Sequence, residues 1–511
     1  MFLLAAILLL VSLSACAEKD AGNAKQGGAF NYFLGEPVAI DPAFAVENEG
    51  MQVTKELFDG LVDYDPETLA LEPAVARKWE SNSKGDEWTF WLRRGVKFHN
   101  GREVKAADFV YAWDRVAAKK TGSEAAYHLA PIKGFDKVQK GKSSHLVGVS
   151  APSKYVLKVK LNYPFADFPT ILGHPVFSPV PKEAVKARGR EFAERPVGNG
   201  PFAIDGAWEH RKGIKIKRFK KYYGAKNYVD AVNFKIIDND QTGFLEFQGG
   251  GLDYSPIPSG QIKATVKQFG SNAIVGEPQL GLQFYAFNLR KPLFRKNVKL
   301  RRAINNAVDR ETIVDNVYEN AYLVAGGIVP PAVEGYGKPA REYAHSTSRA
   351  KRLLKEAGFP GGRGLPTIKL IYPSGRGYEE PAQIFQQNLK DIGIKVDLEG
   401  LEFGAFLKAL RAGKMSMFAA GWQADYPSPD AFLYQLFYSK SGDNLIGFSD
   451  KEVDRLLIKA RQAVGAVQRR RLYQKAENQI LKQAPIVPYA YYGTSVVYAK
   501  RVKGFRRTAL D

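Results

Sequence analysis

The chain has 511 residues, 45% of them hydrophobic and 12% aromatic, with a formal net charge of +21. That length exceeds what one core accommodates and implies two or three lobes, and the apolar content excludes a disordered chain. The charge raises nucleic acid or an anionic membrane as partners, but the basic clusters at 215–221 and at Arg469, Arg470 and Arg471 are short, with no zinc spacing or RNA-binding signature beside them, so a solvated basic surface and no nucleic acid are expected.

Residues 1–10 are nearly all apolar, a run too short to span a bilayer and typical of a secretory leader. Leu13, Ser14, Ala15 and Cys16 follow, and this ending resembles the bacterial lipobox, which implies a signal peptide over 1–16 and lipidation of Cys16. The missing basic residues before the apolar run depart from that pattern. Cys16 is the one cysteine of the chain, so an internal disulfide is excluded. Residues 17–29, rich in Ala, Gly, Lys and Asn, read as a flexible tether.

In chain order, 30–42 predicts a short strand and then an extended segment that Pro37 and Pro42 keep out of a helix. Val53, Leu57, Phe58 and Leu61 have helical spacing, closed by Gly60. Trp88, Phe90 and Leu92 alternate with Glu87, Thr89 and Arg93 as a strand does, after a hairpin turn at Lys84, Gly85 and Asp86. Asn100 and Gly101 mark a second turn, and Phe109, Val110 and Trp113 share a helical face.

The block 76–113 is similar to the signature of the oligopeptide/dipeptide (peptide/nickel) solute-binding proteins of ABC importers: a WTF-like strand, an LR-x-G-V-K-F-H-[DN]-G turn and an A-x-D-[FV]-V-x-[AS]-W helix. Lys105 departs from it where Thr or Ser usually caps the helix, a loss of about 1 kcal/mol. The turn at 198–202 and the stretch 288–309, with Leu300, Ile304, Ala307 and Val308 on a helical face, fit the same family. The resemblance covers roughly 30–502, nearly the whole mature chain.

From 347 onward the pattern alternates. Ala350, Leu353, Leu354 and Ala357 form a helical stripe, Ile368, Leu370 and Tyr372 a strand, Phe385 and Leu389 a helix, and Ile394, Val396 and Leu398 a strand. A helix through Phe403, Phe406, Leu407 and Leu410 leads to a strand over 415–420 that is expected to break at Gly421. This order predicts a mostly parallel sheet with right-handed crossovers. Ligands of such sheets lie beyond the carboxyl ends of the strands, which makes Asp425 a cleft candidate. Two basic amphipathic helices over 451–483, with Leu456, Leu457, Leu472 and Ile480 inward, precede a final strand near 485–492.

Catalytic patterns are absent from the sequence. The six histidines are scattered, with no H-E-x-x-H and no G-x-S-x-G, and Gly375, Arg376 and Gly377 fall short of a phosphate-binding loop. A site assembled in space leaves no motif, so a secreted peptidase or hydrolase stays as the rival class. A peptide receptor tolerant of side chains needs an acid for the ligand's ammonium, strand edges for its backbone and roomy aromatic pockets.

The resemblance implies that Asp425, in the G-W-x-x-D-Y-like loop, contacts the ammonium, with Trp422 walling a pocket and Gly421, Gln423 and Tyr426 beside it. An Asx turn or helix cap for Asp425, and a core position for Trp422, are the structural alternatives. By the same resemblance Glu36, Val38, Tyr127 and Tyr492 line the cleft, each with a surface or packing alternative. The cation for a ligand carboxylate is unassigned, with Arg376, Arg411 and Lys408 as candidates.

The implied fold is α/β, a large periplasmic-binding-protein-like (type II, cluster C) form with three lobes and a hinge. Lobe I would comprise 30–49, 181–275 and 490–511, lobe II the inserted module 50–180, and lobe III 276–489. The implied function is a lipid-anchored, monomeric receptor, without cofactor or metal, that delivers peptides to an ABC permease with separate ATPase subunits. A nickel chelate, opine, sugar or signalling peptide is the alternative cargo.

Overall fold

The computed structural model describes residues 25–225, 228–333, 343–505 and 508–510; Cys16, its apolar leader and the start of the tether lie outside them. Three sheets carry the architecture, beside a two-stranded hairpin of Val62–Tyr64 and Leu71–Pro73. The first sheet orders Ala29–Leu34, Ala231–Ile236, Gly213–Arg218 and Phe202–Ile204. The second orders Ala76–Ser81, Glu87–Leu92, Val156–Lys160 and Val149–Ser153.

The third sheet has seven strands in the order Tyr254–Pro256, Ile486–Tyr498, Ala273–Phe287, Met417–Gln423, Ile368–Pro373 and Val396–Leu401, with Leu323–Val324 paired to Ile486–Tyr498. It is parallel only across its last three strands, where the alternating strand and helix pattern lies. The other pairings are antiparallel, so the mostly parallel expectation is corrected for half the sheet. Two long strands cause this: Ala273–Phe287 pairs with Ile486–Tyr498 on one side and Met417–Gln423 on the other, and buries every residue from Gln279 onward. Such a run has no alternation to reveal it as a strand.

The signature block folds as its pattern dictates. Trp88, Phe90 and Leu92 are buried on one face of Glu87–Leu92. In the helix Ala106–Ala117, Trp113 is fully buried and its indole N–H donates to the Phe177 carbonyl at 2.8 Å. The cap missing at Lys105 is offset by Asp108, whose carboxylate accepts the Lys105 backbone N–H at 2.8 Å and two bonds from Arg102 at 2.7 and 3.1 Å.

His99 joins this block to the turn at 198–202. Its Nδ1 accepts the Gly198 N–H at 3.2 Å and its Nε2 donates to the Gly200 carbonyl at 3.1 Å. Burial pushes the ring's pKa down to about 4, so it is neutral near pH 7. Gly198 is required because a Cβ there would lie 1.8 Å from the Leu57 carbonyl oxygen. One apolar core threads all three sheets, from Leu34 and Phe234 through Phe90 and Leu157 to Phe284 and Leu370.

Candidate binding cleft

Asp425 sits just past the strand Met417–Gln423, which does not break at Gly421 but runs on in register, Gly421 opposite Gln283 and Gln423 opposite Gly281. The Ala424 N–H donates to the Leu280 carbonyl at 2.8 Å, which fixes the turn before Asp425. Gly421 serves a close approach: a Cβ there would lie 1.8 Å from the Tyr492 hydroxyl. Gly421→Ala is expected to push that phenol aside and lower stability by about 1–3 kcal/mol, read by denaturant unfolding; an unchanged midpoint would show that Tyr492 gives way freely.

A cavity of about 520 Å³ opens at this point, lined by Asp425, Trp422, Gly421, Gln423, Tyr127 and Tyr492 among the expected residues. Trp422 is partly buried and donates from its indole N–H to the Ala431 carbonyl at 2.8 Å. The Asp425 side chain is 13% exposed; its Oδ2 accepts Gln435 Nε2 at 2.8 Å and lies 3.7 Å from His174 Nε2. It accepts no backbone N–H among the described residues, so the Asx-turn and cap alternatives are not what the loop adopts. A second cavity of about 880 Å³ meets the first at Asp425 and Lys55.

Three expected residues lie outside this wall, and the expectation is corrected for each. Tyr426 is fully buried and donates to Asp430 Oδ2 at 2.8 Å, because the loop turns it into the core. Glu36 accepts the Arg211 N–H at 2.8 Å and pairs with His210 Nδ1 at 2.6 Å, away from the cavity. Val38 is 52% exposed at the surface.

Two histidines complete the acid's surroundings. His128 lies between Tyr127 and His174, with tilted rings whose centroids are 4.2 and 4.3 Å away. His128, His174 and Asp425 offer atoms within 4.8 Å of one another, close enough to invite a metal ion. The hydrogen bonds of His174 argue against one. Its Nδ1 accepts the Val176 N–H at 3.0 Å, which leaves the ring proton on Nε2 facing Asp425, whereas a metal-bound imidazole donates its other N–H. Burial pushes both histidines below their usual range, so both are neutral near pH 7.

The cavity's arginines are engaged across it. Arg376 bonds Glu49 and lies 3.9 Å over the Phe403 ring, and Arg411 pairs with Glu124 at 2.9 Å. Tyr127 donates to Asp443, and Arg469 pairs with Asp167 at 2.7 Å. Lys408 is not part of the wall. Lys55 is the one lining lysine or arginine of this cavity without an ion-pair partner among the described residues. Burial pushes Asp443 up to about 7, opposed by the Tyr127 bond and aided by Asp425 and Glu124. Sequence spacing carried no sign of His128, His174, Gln435 or Asp443, which come from four separate segments.

The family model for bacterial extracellular solute-binding proteins, family 5 middle, matches residues 70–444. The chain is 32% identical to the Probable deoxycholate-binding periplasmic protein YgiS of Escherichia coli, over 92% of this chain and 89% of that one. It is 30% identical to the oligopeptide-binding protein OppA of Bacillus subtilis, over 92% and 88%. The murein tripeptide-binding protein MppA of Escherichia coli superposes with a TM-score of 0.86 at 27% identity, covering 93% of this chain and 94% of that one. Against the unliganded open form of MppA the TM-score is 0.67, at 27% identity and 93% coverage of each chain. The chain thus superposes less well on that open form than on the other MppA structure.

Proposed function

The chain belongs to the bacterial extracellular solute-binding proteins of family 5, and from that premise we propose that it captures peptides outside the cytoplasm and delivers them to an ABC permease driven by separate ATPase subunits. The observation that carries this reading is Asp425: a carboxylate that lines the cavity beside neutral histidines, with no lysine or arginine paired to it among the described residues. A peptide's terminal ammonium fills that place, while the strand Met417–Gln423 and the aromatic wall of Trp422, Tyr127 and Tyr492 accept varied backbones and side chains.

We assign lobe I to 30–49, 181–275 and 490–511, lobe II to 50–180 and lobe III to 276–489. The paired long strands Ala273–Phe287 and Ile486–Tyr498 then act as the hinge. Cys16 carries the lipid anchor, and the receptor works as a monomer without catalysing a reaction.

Calorimetry with a free tripeptide and its N-acetylated form tests the reading. The free peptide is expected to bind at least about tenfold more tightly, since a close charge pair contributes more than about 1.4 kcal/mol. Equal binding would mean a ligand without an amine. The relative YgiS, 32% identical, is named for deoxycholate, which keeps a non-peptide solute as the second reading. Native mass spectrometry of protein from its own host identifies the retained ligand.

A further inference from the structure

We propose that Asp443 is a second anionic contact of this cleft and holds a basic side chain on the first residue of the bound peptide, an inference that rests on the peptide reading above. Asp425 and Asp443 line the same cavity, and Tyr127 stands between them, bonded to Asp443 and within the field of both. Glu124 adds a third carboxylate to this side of the cavity. Arg411 is the cation that faces Asp443 and is bound to Glu124 at 2.9 Å, while Arg376 in the same cavity bonds Glu49 and Lys55 lines it nearer Asp425. His128 and His174 bring no charge, as both are held neutral.

A terminal ammonium balances Asp425 and leaves Asp443 with a phenol as its one side-chain hydrogen-bond donor among the described residues. A buried carboxylate with a phenol alone is poorly compensated, which is why its pKa stands at about 7. A second cation corrects this. Phe406, Leu407 and Leu410 face the same cavity and form an apolar wall for the methylene stem of a lysine or arginine. The Asp443 loop is held in place: its N–H donates to Ser441 Oγ at 3.2 Å, and Asn444 clamps the Tyr438 and Phe448 carbonyls at 3.1 and 2.7 Å.

The groups that face Asp443 are Tyr127, Asp425, Glu124 and Arg411. Its carboxyl is raised by burial, so attraction for a cation is present above about pH 7 and fades as the group takes up a proton below it.

Calorimetry of the full chain at pH 8 with Lys-Ala-Ala, norleucine-Ala-Ala and Ala-Lys-Ala decides the matter. Lys-Ala-Ala is expected to bind about tenfold or more tightly than its norleucine counterpart, the size of a close charge pair. Ala-Lys-Ala, with its charge one residue on, lacks the advantage. At pH 5 the Lys-to-norleucine ratio is expected to shrink toward one, and in Asp443→Asn it collapses at both pH values. Equal binding of the first two peptides by the wild-type protein, or a ratio that survives Asp443→Asn, overturns the assignment while leaving the peptide reading intact. Equal gain from Ala-Lys-Ala replaces a specific contact with a diffuse acidic cavity. Failure of all three to bind overturns the peptide reading and this one with it.

Discussion

Asp425→Ala is expected to weaken binding of a short peptide with a free amine by about 2–5 kcal/mol, because the ligand's ammonium would be enclosed without a counter-charge. The neighbours explain why nothing else takes over. His174 and His128 are neutral, Gln435 presents a donor to Asp425, and Asp443 lies on the other side of Tyr127, placed for a different cation. The protein should still fold, since the Asp425 side chain accepts no backbone N–H among the described residues and its loss frees the Gln435 amide and the more distant His174 Nε2–H. Calorimetry with the acetylated peptide as partner completes a cycle: the variant should lose its preference for the free amine. Retained affinity for the free peptide would take Asp425 out of the site.

The second large effect concerns folding. Arg461 donates to both oxygens of Asp430, at 2.8 and 2.6 Å, and both side chains are at most 5% exposed. Tyr473 and Tyr426 donate to the same carboxylate at 2.7 and 2.8 Å. Arg461→Met leaves that carboxylate buried among apolar residues with two phenols, and a loss of about 3–5 kcal/mol is expected in denaturant unfolding. Removing both charges with Asp430→Asn should recover part of it, as burying an ion pair is itself unfavourable. A loss below about 1 kcal/mol would mean that water reaches the pair. Burial raises the Asp430 pKa, but the Arg461 charge and hydrogen bonds outweigh it and hold the carboxyl below its usual range. Its contribution is therefore present above an unfolded value of about 3.9 and is lost as pH falls through the lower folded value.

Local patterning carried much of the fold. Trp88, Phe90 and Leu92 alternate because one face of their strand is buried, and the Phe403–Arg411 helix shows its stripe because one side packs on the sheet. Asp425 was legible from its place after a strand's carboxyl end. The antiparallel half of the sheet was not, since the long strand Ala273–Phe287 buries its second half on both faces and a pairing partner two hundred residues away leaves no local trace. Tyr426 went astray because its position beside Asp425 suggested a shared role, whereas adjacent residues of an irregular loop can face opposite sides. Arg376 and Arg411 looked like anchors for a ligand because exposure of a charge cannot be read from its own sequence; the acids that neutralise them, Glu49 and Glu124, lie in distant segments.

Those last two pairs have a wider consequence. Arg376 with Glu49 and Arg411 with Glu124 each tie together distant segments that line the cleft. With the lobes and hinge proposed above, each tie favours the form in which those segments meet, so part of the work of closure is inherent in the receptor and need not come from the cargo. Affinity then depends less on how many contacts a given peptide makes. A receptor built this way can take up short or poorly fitting ligands, because closure draws on its own ion pairs as well as on the contacts of the cargo.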